Sequence, residues 1–392
     1  MKTLEIIFFI LLFIVFYTYI GYAIVLWCMV QIKKLFGRKR ERIPFQEWPE
    51  VTLFITAYNE ENVVKEKMQN CNELDYPKDK LKIMWVTDGT TDRTNELLAA
   101  YPEVKVYHYE ERRGKTAAMN HGIRHVKTPF VVFTDANTLL NKEAVMEMVK
   151  CFENPKVGCV AGEKRVKATR KDGAASGGEG MYWKYESCLK KWDAQLHSTV
   201  GAAGELFAIR THLYRPMPED TLLDDFMLSM KMTMDGYIID YCDKAYACES
   251  GSANMQEEEK RKVRIAAGGL QSICRLTPLL NIFNYGILSF QYISHRVLRW
   301  SVTPIALFAL LPLNLALLNY RPKMYAILLL LQLLFYIAGF YGRHMACRKV
   351  RSKKLYIPYY FLFMNINVIK GFIYLNQRKG KNTGAWEKAQ RA

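Results

Sequence analysis

Three kinds of hydrophobic pattern follow one another along the chain. Ile6–Val30 carries no charged side chain, and as a helix it is long enough to cross roughly 30 Å of hydrocarbon. From Val51 to about Glu249, short β-branched and apolar runs alternate with helix-length amphipathic stretches. The runs predict strands over Val51–Ala57, Leu81–Thr87, Val104–Tyr109, Phe130–Thr134, Val157–Ala161, Leu206–Arg210 and Tyr237–Tyr241. Helical patterns around Val63–Asn72, Asp92–Ala100 and Thr116–Val126 separate the first four strands, the alternation of a parallel doubly wound α/β sheet. Asp172–Gly180, rich in Gly, Ala and Ser, predicts a loop.

The third pattern is a series of apolar segments toward the C-terminus. Leu270–Trp300 mixes apolar residues with Arg275, His295, Arg296 and Arg299, which suits helices lying in a membrane interface. Ser301–Leu318 and Met324–Tyr341 read as membrane spans. Leu355–Leu375 contains Pro358, Asn365, Asn367 and Lys370 and reads as a polar span or a re-entrant piece. The expected organisation is an anchor over 1–32, a soluble block over 33–269, interfacial helices over 270–300, a membrane region over 301–376 and a basic tail over 377–392.

Composition agrees with a core-forming chain that has apolar sequence left over, because half of its 392 residues are hydrophobic. A cleaved signal peptide would have a shorter apolar core and a small-residue cleavage site. Ile6–Val30 is instead followed at once by Lys33, Lys34, Arg38, Lys39, Arg40 and Arg42, so it reads as a retained anchor with its basic flank in the cytoplasm. An integral protein of the inner or plasma membrane follows, with the middle block cytosolic. The net charge of +17 collects beside apolar segments, with six basic residues in Lys33–Arg42, six in Arg343–Lys354 and five in Arg378–Arg391. Such clusters attract anionic lipid headgroups, so the expected partner is the bilayer and not nucleic acid. Nine cysteines form no Cys-x-x-Cys pair, which argues against structural zinc and for small core residues.

Chemistry enters at the strand ends. Tyr58-Asn59-Glu60 follows the first strand, Asp88-Gly89-Thr90-Thr91-Asp92 the second, and Asp135-Ala136-Asn137 the fourth. The C-terminal ends of parallel strands are where an open α/β sheet binds its ligand. Thr90, Thr91 and Asp92 are also ordinary N-cap residues. Gly114-Lys115-Thr116 lacks the earlier glycine of a P-loop, since Tyr109 stands in that place.

These motifs, with Gly114-Lys115-Thr116-Ala117-Ala118-Met119-Asn120 between the second and the last, resemble in order and spacing the membrane-integrated family 2 glycosyltransferases, which include the cellulose, chitin, hyaluronan and poly-N-acetylglucosamine synthases. The resemblance implies a GT-A fold, a Rossmann-like nucleotide-sugar-binding domain in the cytosol, flanked by transmembrane and interfacial helices. It implies nucleotide-sugar contacts from Tyr58, Glu60, Asp88, Lys115 and Asn120, and a Mg²⁺ or Mn²⁺ ion held by Asp135 with Asn137 in place of the family's second aspartate. Gly201-Ala202-Ala203-Gly204-Glu205 resembles the acceptor-side segment, with Gly204 and Glu205 beside the acceptor. Asp225 matches the catalytic aspartate and Asp224 the glutamate before it. Arg261 to Ile265 falls where processive members carry Gln-x-x-Arg-Trp; Arg264 matches the arginine, while Arg261 and Ile265 replace the glutamine and the tryptophan. With that stacking platform missing, single additions or short products are expected unless Tyr182 or Trp183 substitutes.

The chemistry of transfer fits those residue types. A departing nucleoside diphosphate needs cationic compensation, and direct inversion needs a base for the acceptor hydroxyl. The expected activity is inverting transfer of a sugar from a nucleotide sugar, a UDP-sugar for preference, to a polysaccharide or lipid-linked glycan at the cell surface. The alternative is a non-catalytic partner of the same fold in a synthesis or export complex.

Overall fold

The computed structural model describes residues 1–37, 41–167, 174–252, 254–347 and 353–378. Much of each of the three basic clusters, at 38–40, 348–352 and 379–392, lies outside them.

Eight strands make one sheet: β1 Val51–Ala57, β2 Leu81–Asp88, β3 Lys105–Tyr109, β4 Phe130–Asp135, β5 Leu139–Leu140, β6 Val157–Lys167, β7 Leu206–Arg210 and β8 Ile238–Ser250. Their order is β3-β2-β1-β4-β7-β6-β8-β5. The expectation of a parallel sheet holds for β1 to β4, but β7 runs antiparallel to β4 and to β6, so the sheet is mixed. Two strands extend beyond the sequence reading because β6 and β8 stay paired past Cys242, along Tyr246–Ser250. The two-residue β5 was not expected; it exists through its pairing with β8.

The sheet is covered on both faces, which is why its central strands read as nearly continuous apolar runs. Alternate residues point to opposite sides. Val51, Leu53 and Ile55 of β1 pack with Met68 and Val145 on one face, whereas Phe54 packs with Met119, Phe133 and Phe226 on the other. Parallel register sets Ala57 beside Thr87 and Thr56 beside Asp135. Tyr58, Asp88 and Asp135 therefore leave the sheet at one edge.

Lys2–Phe36 and Pro322–Met345 are long and apolar enough to cross a membrane, and the bent pair Ile287–Trp300 and Val302–Leu317 makes a third span if counted as one. Ile10, Phe13 and Phe16 of the first helix and Leu331, Leu334 and Ile337 of the second are exposed, as a lipid-facing surface would be. Three sequence expectations change here. Residues 174–180 begin the helix Ala174–Leu196 and are not a loop, while Asp172 and Gly173 lie outside the described residues. The helix Met255–Arg275 runs through the expected boundary at 269 and 270. Lys353–Gln377 is one unbroken helix, without the break of a re-entrant piece; Gly371 lets it approach the Met255–Arg275 helix, where an added Cβ would lie 2.7 Å from Ala266.

Candidate active site

The strand ends open into a cavity of about 630 Å³ that runs from Tyr58 and Glu60, past Asp88, Lys115 and Asp135, to Gly204 and Asp225, and on to side chains of the membrane-side helices. At its outer end the Arg112 guanidinium lies 3.7 Å from the centre of the Tyr58 ring. The Asp88 carboxylate accepts hydrogen bonds from the backbone N–H of Arg113 at 3.0 Å and of Gly114 at 2.6 Å. It thereby pins the loop that leads into the helix Lys115–Gly122. Gly89, at φ 62°, brings the same loop in: a Cβ there would sit 2.6 Å from Arg112 N. Asp92 accepts from Thr94 N and from Glu61 N, which ties the start of the helix Thr94–Leu98 to the segment after β1.

Lys115 is the central cation. Its Nζ donates to Asp135 Oδ1 at 2.6 Å and lies 3.9 Å from Asp224 Oδ2. Burial works to lower its pKa, but Asp135 and Asp224 outweigh that and raise it, so the ammonium is retained. Asp224 and Asp225 open the helix Asp224–Met234, where the helix dipole favours negative charge. Burial, then repulsion from Asp224, pushes Asp225 up to about 7 against the pull of Lys115. A Cβ built on Gly204 would lie 3.4 Å from both Asp225 Oδ2 and Lys115 Nζ, so the missing side chain leaves space against these two groups. Ala202 N–H donates to Ser229 Oγ at 3.0 Å, which fastens the small-residue segment to the helix carrying Asp225.

Asp135 and Asn137 both line the cavity. Among the described residues no group of three or more His, Cys, Asp or Glu is arranged to hold a metal by itself. A carboxylate and an amide oxygen fit a hard divalent cation if diphosphate oxygens supply further ligands, and the ammonium of Lys115 shows that Asp135 accepts a cation there.

Some expected residues are placed differently. Asn120 does not line the cavity; its amide donates to Met217 O at 2.7 Å and accepts from Tyr214 Oη and Met217 N. It holds the segment leading toward Asp224. Glu205 and Arg261 reach the wall but belong to a buried ionic network: Lys164 Nζ donates to Glu205 at 2.5 Å and also pairs with Glu249, while Arg261 meets Glu249 at 3.3 Å and Glu258 at 3.2 Å. Burial alone would raise the Glu205 carboxyl, yet Lys164 holds it well below the usual range. Arg264, Ile265, Tyr182 and Trp183 all line the cavity.

The inner wall was missed by the sequence reading. His295, Arg296 and Arg299, expected at a lipid interface, are buried. Glu186 accepts from Arg299 Nη1 at 2.9 Å and pairs with Arg296 and His295. Burial would raise Glu186, but Arg296 and then His295 hold it well below the carboxylate range. His295 Nδ1 meets Asp193 Oδ2 at 2.6 Å, and Tyr22 of the first membrane helix donates to Asp193 Oδ1 at 2.5 Å. The available signal was three basic residues within one apolar turn, which a membrane reading assigns to headgroups and a buried reading to carboxylates elsewhere.

Residues 52–215 match the model of Glycosyl transferase family 2. The poly-beta-1,6-N-acetyl-D-glucosamine synthase of Staphylococcus aureus is 26% identical over 251 residues, covering 60% of this chain and 58% of that protein. The synthase of the same name from Staphylococcus epidermidis is 24% identical over 296 residues, covering 70% of this chain and 68% of its own. The chain thus spans somewhat over half the length of the first of these relatives. Among solved structures, the mannosyltransferase PcManGT from Pyrobaculum calidifontis, in complex with GDP-Man and Mn²⁺, superposes with a TM-score of 0.71 at 23% identity over 96% of this chain and 99% of that one. The fold is shared across nearly the whole length, membrane-side helices included. The chain carries a glycosyltransferase family 2 domain.

Proposed function

We propose that this chain, a glycosyltransferase by virtue of its family 2 domain, transfers a sugar from a nucleoside-diphosphate sugar to a glycan or lipid-linked acceptor with inversion, at the cytosolic face of a membrane. UDP-sugars are the first donors to test. The observation that carries the reading is the meeting of Lys115, Gly204 and Asp225 in one cavity: a Cβ on Gly204 would touch both charged groups at 3.4 Å.

The base and ribose of the donor lie by Tyr58, Glu60 and Asp88, and its diphosphate reaches Lys115. Asp135, with Asn137, would hold a divalent ion, which when bound supplies charge compensation to the departing diphosphate. Lys115 and Arg264 supply the protein's own share of that compensation. On the opposite side Asp225 takes the proton of the acceptor hydroxyl as its oxygen attacks the anomeric carbon. A pKa near 7 leaves a substantial ionised fraction at neutral pH while keeping the carboxylate basic enough to accept that proton. Asp224 raises that basicity by repulsion and remains near Lys115. Trp183, which lines the same cavity as Ile265, can supply the stacking face that Ile265 lacks, which weakens the case for single addition drawn from Ile265 alone.

The test is nucleoside diphosphate release by the purified full chain over a panel of UDP- and GDP-sugars, with and without added glycan. Release from no donor by the unaltered protein, with nucleotide binding intact, would leave the non-catalytic reading standing.

A further inference from the structure

The inner part of the cavity gathers buried cationic side chains whose N–H donors its carboxylates do not all meet. Arg296 and Arg299 share the single carboxylate of Glu186, and that carboxylate also faces His295. Nearby Glu205 is engaged by Lys164. Lys190 is 96% buried, its relative exposure being 4%, and lines the cavity. It has no ion pair or hydrogen bond among the described residues. Its ammonium faces the ring of Trp183 with 5.9 Å to the ring centre. Burial, then the neighbouring Arg296, lowers its pKa against the pull of Glu186, Glu205 and Asp225, none of which pairs with it directly. A buried charge left uncompensated is unfavourable, so the site suits an anion that arrives with a ligand.

What lies next to it decides what kind. Ile357, Phe361 and Met364, from the helix Lys353–Gln377, form an apolar wall of the same cavity, and Tyr19 of the first membrane helix donates to Asn365 Oδ1 at 2.9 Å beside them. An anionic group set among Lys190, Arg296 and Arg299 therefore shares its cavity with an apolar surface from membrane-side helices and with Asp225.

We propose that Lys190, Arg296 and Arg299 form a subsite for a phosphate group borne by a lipid acceptor, with the lipid chain against Ile357, Phe361 and Met364. The inference rests on the glycosyltransferase reading for its acceptor role. Among the described residues Lys190 makes no direct ion pair and Arg299 leaves Nε and Nη2 without a hydrogen-bond partner, donors that the oxygens of a phosphate monoester, which carries about two negative charges near neutral pH, can take up. Guanidiniums also offer paired N–H donors to phosphate oxygens. A neutral polysaccharide would bring Lys190 no charged partner.

The experiment uses the full chain in neutral-lipid nanodiscs, with farnesyl phosphate, farnesol and inorganic phosphate as probes and binding read by native mass spectrometry and titration. Farnesyl phosphate is expected to bind about tenfold more tightly than either other probe, and Lys190→Gln to lose about tenfold while Lys190→Arg keeps most of the affinity. UDP binding, titrated in parallel, should be the same in all three proteins. Equal affinity for farnesol, or wild-type affinity in Lys190→Gln, overturns the phosphate subsite; equal affinity for inorganic phosphate overturns the lipid assignment. Should Lys190→Gln lose UDP binding through misfolding, the three-probe comparison in the unaltered protein decides alone. Donor hydrolysis on the same preparation separates the two readings. Its absence removes the transferase and leaves phosphate binding to be judged, whereas intact hydrolysis without lipid-phosphate binding removes only the subsite.

Discussion

The outer and inner halves of the cavity are built by opposite means. On the outer side, Asp88 and Asp135 are placed by the parallel register of β1, β2 and β4, so residues that end neighbouring strands necessarily meet. On the inner side, Glu186, Arg299, Asp193 and His295 meet across separations of more than a hundred positions, 113 for Glu186 and Arg299 and 102 for Asp193 and His295. The outer half uses few charges, each close to a loop or a cation. The inner half is a desolvated network in which removing one partner strands the others. The contrast predicts that outer substitutions remove chemistry and leave the fold, whereas inner ones disturb both.

The strongest break should come at the metal position. Asp135→Ala is expected to reduce turnover to the detection limit and to leave membrane insertion intact, with a modest loss of thermal stability because Lys115 loses the nearer of its two carboxylates; full activity of that variant in the presence of a chelator would remove Asp135 from the mechanism. Next comes the base, where Asp225→Asn should lower kcat by about 10²–10⁴-fold with donor binding retained. Transfer at the parental rate would pass the role to Asp224.

On the inner side, Glu186→Gln should destabilise the protein by about 3–5 kcal/mol, because Arg296 and Arg299 lose their shared carboxylate. Thermal unfolding of the detergent-solubilised chain measures this, and an unchanged midpoint would mean that the network contributes little to folding. The pH dependence sharpens the outer half. Asp225 must be ionised to accept a proton, so kcat/KM should rise with pH up to about 7 and then level. The stability sign is opposite: its folded pKa lies above the unfolded value of 3.8, so between those values the folded state binds more protons and stability falls as pH rises. The smallest effect belongs to the acceptor wall. Trp183→Ala should weaken acceptor binding by about 0.5–1.5 kcal/mol and shorten products, seen by mass spectrometry under excess donor; unchanged product length would place the stacking face elsewhere.

Much of this arrangement was legible in the chain before any fold was known. The strands β1, β2 and β4 were read nearly to the residue, since continuous β-branched and apolar runs and the polar groups that end them are local properties. The outer residues followed from those ends. Asn120 was misplaced because sequence shows that it lies on the helix after Lys115 but not which way its amide turns, and Met217, its partner, lies far along the chain. The antiparallel β7 was hidden for a related reason, as strand direction depends on how the connecting segments return to the sheet.

The sequence by itself determined an α/β block with acids at its strand ends, long apolar helices on both sides, and a candidate base and cation in the right order. These depend on periodicity and on the chemistry of single residue types. Only the tertiary structure decided that Glu205 and Arg261 are committed to Lys164, Glu249 and Glu258, and that Arg296 and Arg299 face inward to Glu186. The same basic residue on an apolar helix can reach for headgroups or for a buried carboxylate, and the choice is made by which distant element supplies the carboxylate and closes out the water.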